Sequence, residues 1–280
     1  MVSCREYAEI KLEELQKKVE SFDRKPKLCV IQTGNDKASD SYINSKRKAC
    51  EEVGIEFCHV HIEDHWHLSE ENFIKIINMK NTDNSIDGII IQLPIPEKYD
   101  IDKLQKYISP DKDVDGFRKD SYFTSCTPKG IIDWLNYNNY DFSGKNITVI
   151  GRSNIVGKPL VNLLIDRGAT VTCCNSKTKY LISHTYGADM IISAVGKPKL
   201  FGYSYFNNPE IIIDVGISRY YNNKLCGDID TYGFDEHLKN TYVTPVPGGV
   251  GKLTVCSLLD NVYKAYLIHL IREEKEKKYN

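Results

Sequence analysis

"ITVIGRSNIVGKPL", from Ile147 to Leu160, decides how this chain is read. Its apolar start runs into Gly151, and a second glycine, Gly157, follows six positions on. In a GxGxxG dinucleotide fingerprint the second glycine lets backbone approach the pyrophosphate, and the third lets the helix pack closely on the strand. Here Ser153 stands at the second place and Val156 at the third, with Gly157 just beyond. The loop is thus one residue longer, and Ser153 remains small and able to donate a hydrogen bond. A helix from Gly157, with Pro159 in its first turn, would direct its N-terminal amides at a phosphate. An ordinary strand-to-helix turn explains the same letters, so neighbouring residues must decide. The NAD form of this fold holds the ribose with an acid about 20 residues after the first glycine, but "VTCCNSKTK", from Val171 to Lys179, contains no acid. Arg152, Ser176 and Lys177 offer charge and hydrogen bonds to a ribose phosphate instead. NADP is therefore expected rather than NAD.

Outward from this loop the chain alternates short apolar runs with amphipathic patterns. "KLCVIQ", a helix from Ser39, "IEFCHVHI", a helix from Ser69 and "DGIIIQLP" read as βαβαβ, which implies parallel strands with helical crossovers. The pattern restarts at "NITVIG" and continues through "ATVTCC", "ADMIISAV" and "EIIIDVG". Between the two series lies a polar stretch up to Thr127, which can cap a helix whose first position is Pro128. The expectation is a two-domain α/β protein. Residues 1–127 form a βαβ-type catalytic domain, 128–250 a Rossmann-like NADP-binding domain, and a final helix over 251–280 packs back on the first, with the ligand cleft between the domains.

Composition narrows the partners. The 280 residues carry 37 Lys and Arg against 38 Asp and Glu, so no field of one sign draws in nucleic acid or a membrane surface. No stretch approaches the ~18 apolar residues of a membrane span. The nine cysteines include no CxxC pair and suit a reducing cytoplasm better than a disulfide framework. Four histidines, His59, His61, His65 and His67, crowd one segment, but a polar exit from a strand explains them and no metal site is expected.

In the first domain Tyr42 and Lys46 stand four apart and share a helix face, a pairing that is ordinary on a surface. Gln92 closes an apolar strand at the edge where parallel sheets place ligands. Asp115 follows in "DKDVDG", and "TPVPGGVGKLT" supplies a glycine-rich turn with backbone amides available to a ligand. Taken together, "YINSK", "QLPIP", "KDVDG", "CTPKG", "GRSNIVGKP" and "TPVPGGVG" resemble, in order and spacing from about Ser39 to Leu259, the bifunctional methylenetetrahydrofolate dehydrogenase/cyclohydrolase family.

That resemblance implies an enzyme of one-carbon metabolism. It would oxidise methylenetetrahydrofolate with NADP and hydrolyse the methenyl cation to formyltetrahydrofolate, a donor for purine biosynthesis. By similarity Lys46 is the catalytic lysine, Tyr42 lies along the folate, Gln92 bonds near Lys46 and Asp115 grips the pterin, whose N–H donors a carboxylate can accept. Pro247, Gly248 and Gly249 would also meet the folate. Gly151, Arg152, Ser153, Gly157, Ser176 and Ile217 would hold NADP, with Cys126 and Thr127 near the nicotinamide. A lysine must shed charge far below its reference pKa of about 10.4 to act as a base near neutrality, and burial pushes that way. The family resemblance also suggests a homodimer.

Three features depart from the family pattern. Asn175 replaces a histidine, Lys252 replaces a proline, and "FRKDSYFTS", Phe117 to Ser125, is shorter than the family's segment. The short segment suggests a dehydrogenase step weaker than the cyclohydrolase step. The alternatives to the bifunctional reading are a cyclohydrolase with weak or absent dehydrogenase activity and a non-catalytic NADP- or folate-binding sensor.

Overall fold

The computed structural model describes residues 1–62, 68–220 and 224–279, and the chain forms two compact units. The first comprises Glu9–Cys126 and Val255–Asn280, the second Met1–Ala8 and Thr127–Thr254. The elements in chain order begin with α1 (Cys4–Glu20), β1 (Lys27–Thr33), α2 (Lys37–Val53), β2 (Glu56–Ile62), α3 (Glu70–Asn81), β3 (Gly88–Ile91) and α4 (Ile101–Gln105). The chain continues with α5 (Cys126–Tyr137), β4 (Asn146–Ile150), α6 (Gly157–Ile165), β5 (Thr170–Cys174), α7 (Leu181–Thr185), β6 (Met190–Ser193) and β7 (Ile211–Asp214). A hairpin of β8 (Ser218–Arg219) and β9 (Leu225–Cys226), then α8 (Phe234–His237), β10 (Tyr242–Val243) and α9 (Val250–Tyr279) complete the chain.

In the first unit β1 is central in a parallel sheet of order β2-β1-β3. Both faces of the sheet are covered, so β1 and β3 read as nearly unbroken apolar runs. Alternate residues serve opposite cores. Leu28, Val30 and Ile90 pack with Ile43, Val53 and the α9 residues Leu258, Leu259 and Val262. Cys29, Ile31, Ile89 and Ile91 pack with Phe73, Ile77 and Leu104. Ser69 caps α3 by accepting from the Asn72 amide, and α2, expected to start at Ser39, starts at Lys37 with Asp36 as its cap. The Asp36 carboxylate accepts from the Ser39 amide at 2.9 Å and from its hydroxyl at 3.0 Å, and an ionised cap gains more from the helix dipole than a hydroxyl would.

The second unit holds a parallel sheet of order β10-β7-β6-β4-β5. The strand order reverses at β4, so the loop after β4 lies at the switch point where such sheets bind ligands. Residues 1–8 pack here and not with the rest of the N-terminal segment. Trp134 Nε1 donates to the Val2 carbonyl at 2.9 Å, Cys4 is buried in the core, and Tyr7 meets Tyr137 edge-on. Helix α5 starts at Cys126, so Thr127 lies inside its first turn, and its hydroxyl meets that of Thr254 at 2.9 Å instead of capping. Among the described residues no helix is long and apolar enough to cross a membrane.

Candidate functional site

Helix α2 and the chain leaving β3 bring Lys46 and Gln92 together. The Lys46 ammonium donates to Gln92 Oε1 at 2.7 Å, and Gln92 Nε2 donates to the Leu93 carbonyl at 2.6 Å. The second bond fixes which end of the amide faces the lysine, and Gln92 is only 7% exposed. Tyr42 lies one turn earlier on α2 and is exposed. Lys46 and Asp115 each keep a solvent edge, yet protein surrounds their charged ends closely. Burial lowers the Lys46 pKa against the charge of Asp115, Cys126 and Cys50. Burial likewise pushes Asp115 up to about 6, with Lys46 opposing the rise and Asp113 adding to it. A lysine whose charge burial disfavours, held by a neutral amide beside a carboxyl that burial pushes up, is an arrangement suited to moving protons.

The Asp115 loop has a brace that the sequence reading missed. Asn261, buried on α9, donates to the carbonyls of Val114 at 2.9 Å and Thr124 at 3.2 Å and approaches Cys126 Sγ at 3.6 Å. Its only sequence signal is an asparagine among the apolar residues of that helix. Cys126 donates from Sγ to the Val114 carbonyl at 3.2 Å and is 2% exposed, so its side chain packs in this core. The short Phe117–Ser125 segment doubles back on itself. Gly116 has φ +69°, and a side chain there would meet Ser125 N at 2.6 Å. Phe123 is buried in the first unit's core while Tyr122 stays exposed.

In the second unit Gly151 has φ +124°, and a Cβ there would lie 2.4 Å from the Ala194 carbonyl oxygen. A Cβ on Gly157 would lie 2.2 Å from the Gly151 oxygen. Gly157 therefore performs the close-packing task of the fingerprint's third glycine, one position late. Ser153 does more than stay small: its hydroxyl accepts from the amides of Val156 at 3.1 Å and Gly157 at 3.3 Å, and its carbonyl accepts from Lys158 at 3.0 Å. These first-turn amides, expected to face a phosphate, are occupied by Ser153. Arg152 and Ser153 are both exposed at this loop.

At the end of β5, Asn175 builds a tight turn. Its Oδ1 accepts from the Lys177 amide at 3.0 Å, its carbonyl accepts from the Thr178 amide, and its own amide donates to Thr178 Oγ1 at 2.9 Å. This turn leaves Ser176 and Lys177 exposed at its tip. Ile217 is exposed beyond β7, where a Cβ on Gly251 would touch it at 3.9 Å. Pro247, Gly248 and Gly249 lead into α9 in this same unit. Gly248 has φ +100°, and a Cβ on Gly249 would lie 2.4 Å from the Pro245 oxygen, so this turn requires glycine. Lys252 is exposed in the first turn of α9.

The histidine cluster resolves into separate bonds. His59 Nε2 meets Gln32 Oε1 at 2.8 Å, His61 Nε2 meets the Gly34 carbonyl at 2.9 Å, and the two rings stack. His65 and His67 lie outside the described residues, among which no group of three metal-binding side chains converges.

Comparison with known proteins places this geometry in a family. Residues 2–115 match the tetrahydrofolate dehydrogenase/cyclohydrolase catalytic domain, and residues 125–270 match the NAD(P)-binding domain of the same family. The chain is 45% identical over 248 residues to the bifunctional protein FolD of Agathobacter rectalis, covering 85% of this chain and 87% of that one. The crystal structure of the bifunctional enzyme FolD, a methylenetetrahydrofolate dehydrogenase/cyclohydrolase from Campylobacter jejuni, superposes with TM-score 0.88 at 38% identity, covering 94% and 96% of the two chains. The Trypanosoma brucei methylenetetrahydrofolate dehydrogenase-cyclohydrolase, complexed with NADP cofactor and inhibitor, superposes with TM-score 0.87 at 27% identity, covering 96% and 98%. Both domain matches and the near full-length identity agree: this chain belongs to the tetrahydrofolate dehydrogenase/cyclohydrolase family.

Proposed function

We propose that this chain oxidises 5,10-methylenetetrahydrofolate to the 5,10-methenyl cation with NADP and hydrolyses that cation to 10-formyltetrahydrofolate. The observation that carries the reading is the Lys46–Gln92 pair at 2.7 Å, where burial lowers the Lys46 pKa and raises that of Asp115 to about 6. In hydrolysis, water adds to the methenyl carbon and gives a proton to the neutral Lys46 amine. As the carbon–nitrogen bond opens, a proton returns to the departing nitrogen. Gln92 holds the amine by accepting from it, a bond that a neutral amine still makes. Asp115, when ionised, accepts from the pterin N–H groups, and Tyr42 lies along the folate.

NADP, when bound, supplies the hydride acceptor. The glycine approaches at Gly151 and Gly157 and the cations Arg152 and Lys177 fit a phosphorylated dinucleotide, and Ser176 adds a hydroxyl beside the ribose position. The β5 exit lacks an acid that would repel a ribose phosphate, which favours NADP over NAD. Pro247, Gly248 and Gly249 form the candidate folate turn. Nine free cysteines support a reducing cytoplasmic setting, and the family resemblance supports a homodimer. Absorbance assays of methylenetetrahydrofolate oxidation and methenyltetrahydrofolate hydrolysis on one purified sample test the reading. Two activities establish it, hydrolysis alone reduces it to a cyclohydrolase, and neither activity overturns it.

A further inference from the structure

Two carboxylates in the second unit are buried with no part in the chemistry above. Asp214, at the end of β7, is 3% exposed, and Asp228 is fully buried. Asp228 accepts three bonds of 2.8 Å each, from Ser193 Oγ and from the amides of Val195 and Lys197. Asp214 accepts from the amides of Gly216 at 3.0 Å, Asp228 at 3.0 Å and Ile229 at 2.9 Å. All six donors are neutral, and the carboxylates sit on glycines: a Cβ at Gly216 would lie 2.1 Å from Asp228 Oδ1, and one at Gly227 would lie 1.9 Å from Asp214 Oδ2. Charge buried at this cost is matched by donors fixed in place, and what those donors fix is a pair of loops. One leaves β6 at Ser193 and the other leaves β7 at Asp214, both on the sheet edge that binds ligands. The β6 loop also touches the phosphate turn, since the Ala194 oxygen is what Gly151 must avoid.

We propose that Asp214 and Asp228 form a clasp that positions the nicotinamide half of the cofactor site. In a doubly wound sheet the dinucleotide crosses the switch point, with one mononucleotide on each side. The adenosine side here is β4–β5, with Arg152 and Ser176, while the clasp organises only the β6 and β7 loops on the other side. Asp214 and Asp228 are positioning residues: they hold the loop that carries Ile217 and the amides between Val195 and Lys197.

This inference rests on the NADP reading, and two probes keep the failures distinguishable. Adenosine 2′,5′-bisphosphate reports the adenosine side alone, and NADP reports both. Asp228→Asn removes the charge and turns an amide NH2 on at least one of the three donors. It should weaken NADP by about tenfold or more, the loss of at least one charge-assisted hydrogen bond, while the bisphosphate stays within about twofold. Dehydrogenase kcat should fall and cyclohydrolase kcat should not. Ser193→Ala, which removes one hydroxyl, should shift the same ratio by a smaller factor and serves if Asp228→Asn does not fold. Equal weakening of both ligands in a folded variant, or no weakening of NADP, would overturn the clasp. A wild-type protein that binds neither probe would overturn the NADP reading itself.

Discussion

Replacing Lys46 with methionine separates proton handling from packing. A thioether of similar length keeps the stem contacts of α2 but cannot carry a proton. Two stability effects oppose one another. Gln92 Oε1 loses its 2.7 Å donor, which costs about 1–3 kcal/mol for a buried acceptor. The variant also no longer buries an amine whose charged form burial already disfavours. The melting temperature should therefore move by only a few degrees. A general base contributes about 10²–10⁴ in rate, so cyclohydrolase kcat should fall by that factor, about 3–5 kcal/mol in barrier. Lys46→Arg sharpens the test, because a guanidinium keeps the positive charge but stays protonated at every accessible pH. Both variants should lose hydrolysis, measured by the decay of methenyl absorbance, and both should lose the limb of the kcat profile that rises with pH. The acid limb in kcat/KM, set by ionisation of Asp115, should survive in both, and in Lys46→Met it should move to higher pH, because Lys46 no longer opposes the rise that burial causes. Hydrolysis retained by Lys46→Met removes Lys46 from the mechanism, and activity restored by Lys46→Arg makes its role electrostatic.

Three further outcomes follow from the same geometry. NADP should bind about tenfold or more tightly than NAD, because Arg152 and Ser176 can meet the extra phosphate with at least one charge-assisted bond; titration calorimetry giving equal constants would remove that assignment. Gly157→Ala places a methyl 2.2 Å from the Gly151 oxygen, so NADP binding should fall about fivefold or more, an overpacking cost of about 1–3 kcal/mol, and unaltered binding would show that the helix can withdraw freely. His269 lies between Asp87 and Asp111, with Arg24 on Asp87 and Arg272 on Asp111; the Asp111 carboxylate 3.5 Å from Nε2 and the Nδ1 hydrogen bond to Asp87 at 3.0 Å raise its pKa despite burial. A raised histidine contributes stability that is fully present below its unfolded pKa of about 6.5 and is lost as pH rises through the folded value. His269→Gln should therefore cost about 1–3 kcal/mol at pH 6 and much less at pH 9 in denaturant unfolding, and a pH-independent cost would show that packing alone is at work.

What the sequence made legible is what depends on local pattern. Parallel strands covered on both faces must be continuously apolar, so "KLCVIQ", "GIII", "NITVI" and "EIIID" announced themselves, whereas β10, a two-residue strand, left no pattern to find. Caps were harder, because Asp36 and Ser39 are both good capping residues three apart and only the folded turn shows that one caps the other's amide. The glycine fingerprint was read correctly as one residue too long, yet letters cannot say where a hydroxyl's bonds go. Ser153 turned out to occupy the amides that the bare motif reserves for phosphate. Least legible of all were Asn261, Asp214 and Asp228. A polar residue in an apolar helix and two acids at strand exits look like tolerated exceptions until the fold gives each its partners. Asp228 reaches Ser193, 35 residues away in sequence, and Asn261 reaches Val114 across 147. Long-range polar bonds of this kind carry no period and no spacing rule. They are also what sets loop geometry at the two candidate sites, so the residues a sequence reader passes over are those on which the precision of the proposed chemistry depends.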